Sequence, residues 1–343
     1  MPTTNYFNRF PPFPNDIPIA RLPRVSFDKL LVDDAAESEQ LFRACRENGF
    51  FLVDLKGSGE GETMLKDAET AFDLSEKIFE IDQQELAKDA FKPPTSSFRS
   101  RLRRVLQLRT APSARPIITR LPCTDPGQPQ DTRGFPPPRA RDHQPPPLPP
   151  RQAPGSPTQH PGRPHPSQDK ASGTALRLLK SLPQPVGHRK YLASHTDIGS
   201  MTMLFNVVGG LQLLPAEAEN VDANWRYVRP EPGCALINLG DAMVQWSGGI
   251  LRSNIHRVAT PPGEQSCCTR YSIAYLVHPE ANVSMRRLGG GGVIPQPVDG
   301  EDEGDVRAEE WGRIRVGRII SGKSIPSSSG GGKIEGRKLQ EAY

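Results

Sequence analysis

Cysteine is scarce in this chain. The five residues, Cys45, Cys123, Cys234, Cys267 and Cys268, are odd in number and include no CxxC pair. That excludes a disulfide framework and a zinc knuckle as organising devices, and reduced thiols in the cytoplasm are the expectation. Long apolar runs are missing as well. No segment approaches the roughly 20 apolar residues of a membrane span, and the opening MPTTNYFNRFPPFP has neither the basic region nor the apolar stretch of a secretory signal. A soluble protein with no membrane partner is expected. A strong excess of one charge is also absent: the net charge is a mild +4, and the arginines crowd into one stretch instead of covering a face, so no nucleic-acid partner is expected.

Apolar residues make up only 35% of the 343, against 37 prolines and 31 glycines. The length is ample for a sizeable core, but the composition predicts that part of the chain does not pack. The deficit is concentrated. From Ala111 to Lys170 there are 18 prolines in 60 residues, no glutamate, and a lysine only at the end. Two readings stand for residues 97–170: a disordered or polyproline II segment, or a gene-model artefact in which a shifted frame returns before Gly173.

The remainder reads as ordered. Residues 1–96 form an α/β opening, with short strands at Ile17–Ile19 and Val25–Phe27 and a helix over residues 35–48 stopped by Gly49. A buried strand is expected over residues 50–55 and a second helix over residues 62–91 through Leu65, Ala68, Phe72 and Phe79. Residues 171–285 carry β-prone runs at 201–208, 211–214, 225–228, 234–239, 254–259 and 270–277. Gly209-Gly210 stands where a tight hairpin would turn. Closely spaced short strands favour a sandwich, barrel or jelly roll. Residues 286–343 are expected to hold one helix near 304–320 and a mobile Ser/Gly/Lys-rich tail.

The chemistry sits in the β-rich part. His195 and Asp197 are two apart, so an extended backbone sends both side chains from one face. His256 follows on a separate run. Two imidazoles and a carboxylate form the set that holds non-haem Fe(II) on one side and leaves the opposite positions open for O2 and a co-substrate, where thiolates would have indicated zinc. Arg270 and Ser272 share a strand face by the same period of two. A guanidinium beside a hydroxyl suits the distal carboxylate of a dicarboxylic acid. Met201, Met203 and Phe205 alternate on the strand after the metal pair; Met203 and Phe205 are candidate substrate-pocket residues, with core packing as the competing role. Trp246, Asn254 and Tyr275 are weaker candidates. His278 is expected at the surface, and His143, His160 and His165 fall within the proline-rich segment.

The segments HTDIGSMTMLFN, GGLQLL, INLGDAMVQWSGG, SNIHRV and RYSIAYLVHP, with ACRENGFFLVDL nearer the start, resemble the 2-oxoglutarate and Fe(II)-dependent dioxygenases similar to isopenicillin N synthase. The resemblance covers residues 15–92 and 171–280. It implies a double-stranded β-helix core with flanking helices, a mainly β, α+β fold. It also implies His195, Asp197 and His256 as iron ligands, and Arg270 and Ser272 as the 2-oxoglutarate site. A small organic substrate would be hydroxylated, desaturated or cyclised with release of succinate and CO2, as in the fungal natural-product pathways to which the motifs look closest. One departure is visible: residues 177–183 lie where many relatives place a tyrosine that helps hold the co-substrate, and none is present. Two rival functions come with the reading: an oxidase like isopenicillin N synthase that does not use 2-oxoglutarate, and a non-catalytic product whose proline-rich segment is a docking tether.

Overall fold

The computed structural model describes residues 2–82, 103–109, 172–184, 194–288, 293–295, 305–321, 323 and 326–332. In chain order the first elements are α1 (Thr4–Phe7), β1 (Arg24–Ser26), α2 (Phe27–Leu31), α3 (Ala35–Glu47), β2 (Phe50–Asp54) and α4 (Gly59–Ile78). The starts of α2, α3 and α4 follow from side-chain acceptors for orphan backbone N–H groups. The Asp34 carboxylate accepts from Glu37 N at 2.8 Å, and the Ser58 hydroxyl accepts from Gly61 N at 3.1 Å. Gly49 ends α3 at φ +64°, and a Cβ there would lie 2.2 Å from the Arg252 carbonyl oxygen, so both backbone conformation and space demand glycine. In α4 the buried Leu65, Ala68, Phe72, Ser75 and Ile78 form one helical face.

The strands β3 (Arg103–Arg109), β4 (Ala175–Ser181), β5 (Met201–Asn206), β6 (Leu211–Leu213), β7 (Arg226–Tyr227), β8 (Cys234–Leu239), β9 (His256–Val258) and β10 (Arg270–Val277) complete two sheets. The larger has the order β1-β2-β8-β5-β10-β4-β3, and the smaller β7-β6-β9. Among the described residues only β1 and β2 form a parallel ladder; the other ladders are antiparallel. Helices α5 (Asp241–Trp246) and α6 (Ala308–Ile320) follow β8 and β10 respectively. Among the described residues no helix is long and apolar enough to cross a membrane.

Register gives the larger sheet two unlike faces. Phe51, Val53, Leu178, Phe205, Ile237 and Ile273 point to one side and pack on Leu65, Phe72 and Phe79 of the α4 segment. Residues one position away point between the sheets, where Phe50, Leu52 and Leu236 meet Leu211, Leu213 and Val228. Each face is an alternating set, as the pleat requires.

Several expectations need correction. Gly209-Gly210 does not turn a hairpin. Both edges of β5 are occupied, by β8 and β10, so the chain must leave the larger sheet and pair in the smaller one. Gly210, at φ +115°, makes that crossing; a Cβ there would come within 2.8 Å of the Ala259 carbonyl. Residues 103–109, inside the stretch expected to lack structure, pair with β4 from Arg103↔Ser181 to Arg109↔Ala175. They precede the proline-rich tract and contain no proline, so every backbone N–H can join a ladder. The end of the chain is not a loose tail throughout: Ser329 forms a two-way backbone bridge with Ser253, at 2.9 and 3.0 Å. The strand expected at Ile17–Ile19 is reduced to a bridge between Ile19 and Tyr227. The helix expected to run to residue 91 ends at Ile78, with Phe79 as its C-cap. Residues 83–91, the remainder of the segment expected to be proline-rich and unstructured, and His143, His160 and His165 lie outside the described residues.

Candidate metal centre

His195 and His256 exchange both backbone hydrogen bonds, at 3.0 and 2.9 Å, which locks them as a directly opposed antiparallel pair. Their rings are 4.4 Å apart between centroids. Asp197, two residues on, brings its Oδ1 to 3.9 Å from each Nε2. One donor atom from each of the three lies within 4.8 Å of the others, and this is the single group of its kind among the described residues. Two metal bonds of about 2.1 Å can bridge donors up to about 4.2 Å apart, so one ion can span both 3.9 Å gaps. Residues from two separated segments therefore present two nitrogens and a carboxylate to one point, the donor set suited to Fe(II).

The surroundings aim these donors. Asp197 Oδ2 accepts from Thr202 Oγ1 at 2.6 Å and from Asn238 Nδ2 at 2.7 Å, which leaves Oδ1 to the two imidazoles. Burial acts to raise the Asp197 pKa, but the facing His256 and His195, with those two hydrogen bonds, outweigh it and hold the carboxyl at about 2. His256 Nδ1 lies 3.2 Å from the Asn254 carbonyl oxygen. A carbonyl can only accept, so Nδ1 carries a proton and Nε2 is the atom turned toward Asp197. Exposure is graded across the cluster: the His256 side chain is 8% exposed, Asp197 14% and His195 41%. The centre is thus sealed beneath His256 and open beside His195.

Arg270 and Ser272 are both buried and side by side on β10. Arg270 Nε donates to the Gly209 carbonyl at 2.7 Å, and its Nη1 donates to Ser272 Oγ. In register Ser272 faces Asn206 across the β5 ladder, and Thr202 of that same alternating set reaches Asp197. The Arg270 guanidinium, the Ser272 hydroxyl and the group that bonds the Asp197 carboxylate therefore share one sheet face. A carboxylate with two oxygens is the anion such a fork suits.

The substrate-pocket residues expected from sequence are not brought to this face. Met203 pairs with Tyr275 and Phe205 with Ile273, both on the α4 side of the sheet. Phe205 is buried in that core, and Met201 and Met203 pack on it. Tyr275 is 39% exposed. Trp246 belongs to a separate cluster with Met285 and Ala308, its indole N–H donating to the Ser284 carbonyl at 3.1 Å. Asn254 acts through its backbone on His256, and His278 rests against Gly173 and Gly199 at the end of β10, outside the ligand cluster.

Other residues enter that sequence reading passed over. Asn206 is 1% exposed, its amide donates to the Val208 carbonyl at 3.1 Å, and its Oδ1 has no hydrogen-bond partner among the described residues. Thr202 and Asn238 orient Asp197. The period of two from Thr202 through Leu204 to Asn206 is a visible signal, but nothing local marks which alternating set faces inward.

Residues 162–279 match the family model described as the 2OG-Fe(II) oxygenase superfamily. The chain is 42% identical over 105 residues to the 2-oxoglutarate-dependent dioxygenase frbH of a Dothideomycetidae species, covering 31% of this chain and 30% of that protein. It is also 42% identical over 128 residues to the 2-oxoglutarate-dependent dioxygenase iboH of Amanita muscaria, covering 36% and 59%. The matched part is thus less than two thirds of either relative's length. Among solved structures, a 2OG-Fe(II) oxygenase family protein of Caulobacter crescentus shares the fold with a TM-score of 0.57 at 19% identity, over 88% of this chain and 99% of that one. Residues 162–279 are thus similar in sequence to the 2OG-Fe(II) oxygenase superfamily, and the chain shares its fold with the Caulobacter protein.

Proposed function

We propose that the protein is a 2-oxoglutarate- and Fe(II)-dependent dioxygenase that hydroxylates, desaturates or cyclises a small organic molecule in secondary metabolism, releasing succinate and CO2. The carrying observation is the convergence of His195, Asp197 and His256 on one point. In this reading the two sheets are the double-stranded β-helix of the superfamily, and bound iron supplies the activation of O2.

The chain's own residues supply the rest. His195, Asp197 and His256 hold the metal from one side. Arg270, braced by the Gly209 carbonyl, takes the distal carboxylate of 2-oxoglutarate. Ser272 accepts a hydrogen bond from Arg270, which leaves its own hydroxyl hydrogen to donate to a carboxylate oxygen. In this reading the two hold the co-substrate without a tyrosine at residues 177–183. Asn206 Oδ1 is placed to accept from a hydroxyl or water on the same face. Phe50, packed edge-on against the His256 ring at 5.3 Å between centroids, and Leu236 keep the inner wall dry, which limits unproductive access of water. Substrate approaches on the open side beside His195.

The test is anaerobic addition of Fe(II) and 2-oxoglutarate to the full-length protein. A visible charge-transfer absorption is expected, lost in His256→Ala. Its absence from the wild-type protein overturns the reading. Oxygen consumption without succinate release would favour the oxidase alternative instead.

A further inference from the structure

Thr196 stands between the two ligands His195 and Asp197, and its side chain leaves on the side away from them. Its hydroxyl donates to Asp241 Oδ2 at 3.1 Å. Asp241 is 3% exposed, and its carboxylate is the meeting point of three elements. Ser253, three residues before His256, donates to Oδ1 at 2.6 Å, and Arg315 of α6 donates to Oδ2. Its backbone joins in as well: Asp241 N donates to the Asp197 carbonyl at 2.8 Å, and Ala242 N donates to the Gly199 carbonyl at 3.2 Å. One residue therefore ties the loop carrying two ligands to the segment carrying the third.

A strap from the end of the chain closes this arrangement. Residues 326–332 add an edge to the segment leading into β9. Ser329 bridges Ser253 through both backbone bonds, and the two hydroxyls are 3.0 Å apart. Ser328 Oγ accepts from Ile255 N at 3.0 Å and donates to Asn254 Oδ1. The docking is specific, because Gly330 sits at φ +87° with its absent Cβ 1.9 Å from the Leu251 carbonyl oxygen. Ser327 and Ser329 form one wall of a cavity of about 340 Å³ whose other walls include Thr196, Asp241 and Arg315. Without the strap, water reaches Asp241 and competes for its partners.

We propose that Asp241 is a positioning residue for metal capture, holding His195 and Asp197 in register with His256, and that the strap at residues 326–332 is its outer lock. This rests on the metal-site reading above. Groups that orient metal ligands typically contribute about 10- to 100-fold in metal affinity.

The experiment is an anaerobic titration of the full-length, metal-free protein with Co(II), read by its visible absorption, beside a thermal melt of each metal-free variant. Asp241→Asn keeps the shape but loses the charge that pairs with Arg315, and it is expected to weaken Co(II) binding by about 10-fold or more. Ser328→Ala with Ser329→Ala is expected to weaken it by a smaller factor, with a shifted absorption envelope reporting altered ligand geometry. A lowered melting temperature with Co(II) affinity within about twofold of wild type would mean a purely structural role and overturn the proposal. Should Asp241→Asn fail to fold, the serine pair on the strap decides by the same criterion. His256→Ala separates the two readings. If wild-type protein binds no Co(II), the metal site itself falls; if wild type binds, His256→Ala does not, and Asp241→Asn matches wild type, only this inference falls.

Discussion

Along β5, β8 and β10, neighbouring residues face opposite ways and do opposite work. Phe205, Ile237 and Ile273 look toward α4, where what counts is apolar volume and fit. Thr202, Asn206, Asn238, Arg270 and Ser272 look between the sheets, where what counts is the placement of individual polar atoms. The same three strands serve as a core wall and as a chemical template. A polar group on the inner face is tolerated because it is paired or reserved for a ligand, whereas on the α4 side it would be an uncompensated cost.

Separating the two faces by substitution sharpens this contrast. The largest stability effect is expected from Phe205→Ala on the α4 side. Loss of a buried aromatic ring should destabilise the fold by about 3–5 kcal/mol in urea denaturation. Metal affinity measured on the folded fraction should stay unchanged, and a matching loss of affinity would show that the faces are not independent.

A smaller, pH-restricted effect belongs to the inner face. Asp197 is held at about 2 in the folded protein, below the roughly 3.9 of an unfolded aspartate. Its contribution to stability is therefore complete above about pH 4 and is lost as pH falls through about 2. In the metal-free protein, Asp197→Asn should flatten the dependence of stability on pH within that window. A slope equal to wild type in an acid denaturation series would contradict the assigned environment.

The smallest effect is expected at Tyr275, which shares the α4 side but is 39% exposed. Tyr275→Ala should cost only about 1 kcal/mol, well below Phe205→Ala, and leave metal binding unaltered. A large loss of activity there would restore it to the substrate pocket.

Much of the fold was legible wherever a local rule operates. β-prone composition between turn residues located residues 234–239 and 270–277, helical spacing with a following glycine located α3, and the two-residue step from His195 to Asp197 announced a shared face. The alternating set Met201, Met203, Phe205 was legible as a set, but its direction was not. Both sets on β5 contain apolar side chains, so only the position of α4 determines which one is the core. Gly209-Gly210 misled for a related reason: a diglycine permits a sharp change of direction, and whether it reverses a strand or carries the chain to another sheet depends on which strand edges are already taken.

By itself the sequence determined the donor chemistry: two imidazoles, a carboxylate, a guanidinium and a hydroxyl at spacings that strands can present on common faces. Only the tertiary structure decided that His256 pairs with His195, that Asp241 joins the ligand loop to Ser253 and Arg315, and that a serine-rich strap near the end of the chain docks beside them. The reason is physical. Spacing within a strand is set by covalent geometry and reads directly from the chain, whereas contacts between residues 12 to 76 positions apart exist only once sheets and helices have packed.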